Sequence, residues 1–207
     1  MRTLEKILAL GILTGLILKF SLISGGDILT LWTTLLLACL YYPLGFLFFN
    51  QIRLRHVFKK TAYKDLSALK VIFAIVTGIG LSVICVGSLF KLLSLTGADQ
   101  MLTIGLVITV ITFTISISLF LKSKGMTSKF TIWRTSIGGV LGLVLLLTPE
   151  LSIIKLQYRN HPDYIRAYEK YLTDPKNESL TKEKEREYYR IILTEEEFKL
   201  YEKSAGS

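Results

Sequence analysis

Five stretches of this chain, Ile7 to Ile23, Leu29 to Phe49, Val71 to Leu95, Met101 to Leu121 and Ile132 to Leu147, are dominated by apolar side chains. A bilayer core about 30 Å thick takes roughly 20 such residues in a helix, and a helix or a closed barrel is the only backbone arrangement that crosses it with every polar group satisfied. The runs are long and lack the period-two alternation of barrel strands. The sequence therefore predicts an all-α polytopic membrane helix bundle with five spans. Four is the fallback, because the last stretch has Arg134 near its start, Gly138, Gly139 and Gly142 inside it, and Pro149-Glu150 at its end. With 51% hydrophobic residues and a mean hydropathy of +0.48, the composition excludes an ordinary soluble domain of 207 residues.

Charge divides the chain in two. Met1 to Pro149 carries fourteen Lys and Arg against four acids, whereas Glu150 to Ser207 carries eleven against twelve. The basic residues lie before the first stretch (Arg2, Lys6), between the second and third (Arg53, Arg55, Lys59, Lys60, Lys64, Lys70) and after the fourth (Lys122, Lys124, Lys129, Arg134). The intervening turns at Gly25-Gly26-Asp27 and Gly97-Ala98-Asp99 contain no Lys or Arg. By the positive-inside rule the amino terminus and both basic loops face the cytoplasm, and five crossings would put the tail outside it. The expected order is a hairpin over 1–50, a basic loop over 51–70, a second hairpin over 71–121, a basic loop over 122–131, a fifth span over 132–149 and a soluble helical tail over 150–207. The positive charge thus belongs to membrane-proximal loops, which argues against a nucleic-acid partner. Cys39 and Cys85 both lie in apolar runs and form no metal-ligand spacing.

A shift of 72 residues superposes the two hairpins. "GLILKFSLISGGDILTL" from Gly15 aligns with "GSLFKLLSLTGADQMLT" from Gly87, so that Lys19 falls on Lys91, Gly25 on Gly97 and Asp27 on Asp99. Each unit holds two spans, so both copies enter from the same side as a parallel repeat. Gly and Asp suit tight turns and helix caps. Lys19 and Lys91 lie six residues before the turn glycine, where a lysine either snorkels to the interface or faces inward and pairs with an acid or an anionic ligand. Asp27 and Asp99, at the membrane edge, are the nearest acids to them. Gly11 with Gly15 and Gly138 with Gly142 form small-residue pairs that allow close helix approach, within one chain or between copies.

The string "SVICVGSLFKLLSLTGADQMLTIGL" from Ser82 to Leu106 resembles the transmembrane hairpin of GldL, the inner-membrane motor subunit of the Bacteroidota gliding and type IX secretion machinery. Gly87, Leu89, Phe90 and Lys91 match its G-A-L-F-K run, Gly97 and Ala98 its turn, and Met101, Leu102, Ile104, Gly105 and Leu106 its M-L-x-I-G-L run. The resemblance implies a bacterial inner-membrane protein with a hairpin fold. It also implies a glutamate three residues after I-G-L as the proton-responsive group, but this chain has Thr109 there and Leu37 in the first hairpin. Threonine does not titrate, so the hairpin carries over and the motor activity does not.

The tail holds seven of the ten tyrosines. Tyr164, Tyr168 and Tyr171 recur at helical spacing on one face, which serves either a partner protein or the chain's own packing. Pro162 suits the first turn of that helix, a second helix is expected from about Thr181 to Ile192, and Thr194 with Glu197 forms a capping box for a third.

No G-x-S-x-G elbow, Walker loop, HExxH motif or pair of intramembrane acids occurs, so no catalytic residue, cofactor or metal site is expected. The chain reads as a non-enzymatic inner-membrane anchor or accessory subunit of an envelope complex, its partners being the lipid bilayer and a protein recruited by the tail, or further copies of itself. The alternative is a small transporter or oligomeric channel, or a pore-forming effector, with Lys19 and Lys91 near the outer mouth.

Overall fold

The computed structural model describes residues 2–50, 52, 68–122 and 129–205. Most of the two basic loops, including Arg53, Arg55, Lys59, Lys60, Lys64 and Lys124, lies outside the described residues. The regular elements among them are all helices: α1 (Arg2–Phe20), α2 (Gly26–Phe49), α3 (Ala68–Leu92), α4 (Ala98–Lys122), α5 (Lys129–Leu147), α6 (Glu150–Gln157), α7 (Pro162–Thr173), α8 (Glu178–Ile192) and α9 (Glu195–Ala205). They form two compact units, α1 to α5 and α6 to α9, divided between Thr148 and Pro149.

In the first unit α2 packs on α1 and α3, α3 on α4, and α5 against α3 and α4. Among the described residues four helical segments are long and apolar enough to cross a membrane: Gly26–Leu47, Ala68–Leu92, Ala98–Leu121 and Lys129–Leu147. The last is the stretch that the sequence left in question. The helix whose composition falls short is α1, whose 19 residues include Arg2, Glu5, Lys6 and Lys19. Those charges sit at its two ends and leave an apolar centre, so the shortfall measures charge count and not the middle of the helix.

The repeat is physical as well as textual. At the end of α1 the Ile23 amide donates to the Leu18 carbonyl (2.9 Å) and the Leu22 amide to the Lys19 carbonyl (3.1 Å), with Leu22 at φ 60°. At the end of α3 the Leu95 amide donates to Phe90 (2.9 Å) and Ser94 to Lys91 (3.2 Å), with Ser94 at φ 52°. These are Schellman endings, in which a left-handed residue lets its own amide and the next one reach back to orphan carbonyls. Gly25 (φ 90°) and Gly97 (φ 85°) then turn the chain, and their carbonyls accept the Leu29 and Met101 amides, each at 3.0 Å. A side chain rarely adopts such φ values, which is why glycine stands at both places.

Close helix approach uses glycines within the chain. A Cβ on Gly15 would lie 2.5 Å from Thr30 Oγ1, and one on Gly11 2.6 Å from Thr33 Cγ2. Gly138 and Gly142 receive Leu81 and Ile84 of α3 in the same way, at 2.5 and 3.1 Å. The tightest contact between the hairpins involves a pair that helical spacing could not reveal: Gly45 of α2 meets Gly78 of α3, where an added Cβ would lie 2.6 Å from the Tyr41 carbonyl oxygen. The buried cluster between α1, α2 and α3 comprises Leu8, Leu37, Leu40, Tyr41, Phe49, Ala74 and Leu81.

The second unit has its own small interior. Ile154 of α6, Tyr164 and Tyr168 of α7, and Tyr188 and Ile191 of α8 pack together with Leu151 and Tyr158. The α6 helix was not anticipated as a separate element. Pro162 does open α7, and the Thr194–Glu197 capping box forms, with the Thr194 amide donating to Glu197 Oε2 (3.0 Å) and the Glu197 amide to Thr194 Oγ1 (3.4 Å).

Candidate functional site

Each hairpin carries a clasp beneath its turn. The Schellman ending leaves Lys19 and Lys91 in the last turns of α1 and α3, while Asp27 and Asp99 open α2 and α4. Lys91 Nζ donates to Asp99 Oδ1 at 2.6 Å, and Lys19 Nζ donates likewise to Asp27 Oδ1. The lysine side chains are 9% and 6% exposed, the aspartates 67% and 64%. The cations are therefore folded inward along the hairpin while their counter-ions face the surroundings at its tip. Each ion sits at a favourable end of a helix dipole, the lysine at a carboxyl end and the aspartate at an amino end. A channel lined by these lysines would need ammonium groups presented to a lumen, and here they are engaged by their own hairpins' carboxylates.

A second polar constellation lies at the opposite end of the bundle. Glu5 of α1 accepts two bonds from the Arg134 guanidinium of α5, Nε at 2.6 Å and Nη2 at 2.7 Å, and a third from the Tyr41 hydroxyl of α2 at 2.7 Å. The Arg134 and Glu5 side chains are 13% and 16% exposed, and the guanidinium stands 5.8 Å over the Phe49 ring. A forked, charge-assisted pair of this kind is among the stronger polar links available at low dielectric. It joins three helices through residues 129 positions apart, and nothing periodic in the sequence announces it. The sequence placed Arg134 among the loop cations; the structure makes it an internal partner of Glu5.

Thr109, at the place where the resemblance puts a glutamate, is 2% exposed. It belongs to a set of small hydroxyl side chains that are almost fully buried: Thr77 on α3, Thr109, Thr112 and Ser116 on α4, and Thr131 and Thr135 on α5. Thr112 and Thr135 donate to carbonyls of their own preceding turns. Thr109 Oγ1 and Ser116 Oγ, seven residues apart on one face of α4, have no hydrogen-bond partner among the described residues. The position is buried, polar and non-titrating.

In the second unit Tyr164 and Tyr168 are 6% and 5% exposed, turned into the unit's own core. Of the two uses the sequence left open for this face, a partner or the chain's own packing, these two side chains take part in the unit's own packing. The periodicity was right and its direction was not fixed by it. Tyr158 and Tyr164 meet edge-on at 4.7 Å, Tyr164 and Tyr188 at 5.8 Å, and the Tyr168 hydroxyl donates to Glu150. Burial pushes the Tyr164 phenol up to about 12 and, with the Glu150 bond, raises that of Tyr168 as well. Tyr171 lies at the margin, with the Lys184 ammonium 3.8 Å over its ring. Ile192 and Leu200, by contrast, are 51% and 68% exposed, beside the Tyr189–Tyr201 contact at 4.6 Å.

Among the described residues no group of three His, Cys, Asp or Glu is placed to hold a metal ion. No curated protein matches the chain, and no solved structure does. Residues 76–128, about a quarter of the chain, match the family described as the GldL N-terminal domain. The match covers most of α3, the Gly97 turn and all of α4, so the second hairpin is similar to the membrane hairpin of that family.

Proposed function

We propose that the chain is a non-enzymatic inner-membrane subunit of a bacterial envelope machine of the gliding or type IX secretion kind, in which the bundle anchors and the tail recruits a partner protein. The observation that carries this reading is a GldL-type hairpin that retains its turn and packing residues and has Thr109 in place of the titratable acid. A hairpin that keeps its fold while lacking the acid at that mid-helix position is suited to holding a place in an assembly and not to converting a proton gradient. In this reading α1 crosses as the first helix of a repeated unit, the amino terminus and basic loops are cytoplasmic, and the tail is periplasmic.

The tail's docking surface is then the outward side of α8 and α9, around Ile192, Phe198, Leu200 and Tyr201, in place of Tyr164 and Tyr168. Exposed apolar side chains such as Ile192 and Leu200, together with the half-buried rings of Phe198 and Tyr201, are what partner interfaces use on a small soluble unit. Affinity purification from gently solubilised membranes tests this directly. The full chain should bring down a stoichiometric partner, and a chain ending at Thr148 should insert normally but lose it. Leu200→Asp should reduce recovery at least tenfold. Undiminished recovery with the truncated chain overturns the tail's role, and a homo-oligomer without any partner overturns the accessory reading.

A further inference from the structure

Two helices of the bundle, α1 and α5, are marginal as membrane spans, and for the same reason. Each has 19 residues and rises about 28 Å, barely the thickness of a bilayer core of about 30 Å. Past Glu5 and Lys6, α1 has only Ile7 to Phe20 left, and past Arg134, α5 has only Thr135 to Leu147. Either remainder rises about 20 Å and stops short of the far side. A crossing therefore uses the whole of each helix, and it draws Glu5 and Arg134 inside the membrane's edge.

A charged side chain in that position escapes by snorkelling, which requires it to point outward. Lys6 is exposed and has that route. Glu5 and Arg134, 16% and 13% exposed, turn inward to each other instead, in the forked pair described above. From α2, the buried Tyr41 gives its hydroxyl to Glu5 and stacks with Phe49, whose ring underlies the guanidinium. Among the described residues the other acids of this unit, Asp27 and Asp99, sit at the opposite end and close on Lys19 and Lys91. The α1 helix packs on α2, and α5 on α3 and α4, so the first and last helices are joined through this pair and not along their lengths.

We propose that Glu5 and Arg134 make α1 and α5 mutually dependent spans, each bringing the charge that neutralises the other's. The last of the five helices to be synthesised, α5, stays across the membrane because Glu5 is in place to receive Arg134. The inference rests on the topology given above, with α5 crossing and the tail outside the cytoplasm. An arginine that meets no carboxylate is costly in hydrocarbon, and a short helix relieves that cost by slipping back to the cytoplasmic interface with the tail behind it. Glu5→Gln creates that situation. Adding Arg134→Gln removes it, because α5 then carries no charge beyond Lys129.

Exposure of the tail reads the outcome. In a full chain with Cys39→Ser and Cys85→Ser, Lys176→Cys puts a single thiol in the exposed loop between α7 and α8. Cells with a permeabilised outer membrane are treated with an impermeant maleimide, and the labelling is divided by that reached after the inner membrane is broken, so that a lower yield of any variant does not enter the ratio. With the pair intact, labelling from outside should be nearly complete. Glu5→Gln should lower the ratio by about threefold or more, and Glu5→Gln with Arg134→Gln should restore it. Unchanged labelling of Glu5→Gln overturns the dependence and leaves the topology standing. A double variant that stays low also overturns it, since the loss is then one of packing. A tail shielded even with the pair intact contradicts the topology itself, and so marks that failure apart from a failure of the coupling.

Discussion

Leu22 and Ser94 occupy the same left-handed position at the ends of α1 and α3, and Lys19 and Lys91 close on Asp27 and Asp99 in the same way, yet the helices beneath these turns meet differently. In the first hairpin Gly15 receives Thr30, whose hydroxyl donates to the Gly26 carbonyl at 2.8 Å. In the second, Gly87 receives Leu102, which is fully buried. The turn is set by a handful of local residues that both copies retain. The packing below is set by neighbours, and these differ, since the second hairpin sits between α2 and α5 whereas the first meets α3 on one side and holds α5 through Glu5. A duplicated unit thus keeps its local code and diverges where its surroundings diverge.

The largest expected difference between the copies lies at that small-residue contact. A Cβ on Gly15 would lie 2.5 Å from Thr30 Oγ1 and 2.8 Å from the Thr30 amide nitrogen, whereas one on Gly87 would lie 3.0 Å from the Leu102 amide nitrogen. Gly15→Ala should cost about 3 kcal/mol and Gly87→Ala about 1 kcal/mol, read from unfolding in mixed micelles. Equal costs would show that the two interfaces are no different in tightness.

The clasps come next and should behave alike. Asp27→Asn and Asp99→Asn each strand a largely buried ammonium, but the aspartates are well exposed, so the loss falls below the value for a wholly buried pair, at about 1–2 kcal/mol. Costs differing by more than about 1 kcal/mol would break the equivalence of the two clasps, set against the accuracy of such unfolding data. The smallest effect has the opposite sign. Leu22→Gly and Ser94→Gly relieve a left-handed conformation that disfavours a side chain, and each should stabilise by up to about 1 kcal/mol in the same assay.

Much of this architecture was legible because it is local. The apolar runs gave the helices, the 72-residue shift gave the paired hairpins, and Gly25, Gly97, Asp27 and Asp99 were placed in their turns from residue type alone. What could not be read depends on residues far apart in sequence. Glu5, Tyr41 and Arg134 converge only once α1, α2 and α5 pack, and the Gly45–Gly78 contact joins two hairpins that no spacing rule connects. In the tail, the stripe at Tyr164, Tyr168 and Tyr171 marked an amphipathic face correctly. Its inward direction depends on Ile154 and Tyr188, which other helices supply.

The central claim is that the two hairpins are the same membrane unit, so that α1 crosses the bilayer despite the charges at its ends. Ser24 and Thr96 occupy matching exposed positions in the two turns and allow a direct test. In a background with Cys39→Ser and Cys85→Ser, a single cysteine is placed at either position, and intact cells with a permeabilised outer membrane are treated with an impermeant maleimide. The account predicts that Ser24→Cys and Thr96→Cys label equally well from outside the inner membrane. Labelling of Thr96→Cys alone, with Ser24→Cys reacting only after the inner membrane is broken, would contradict it.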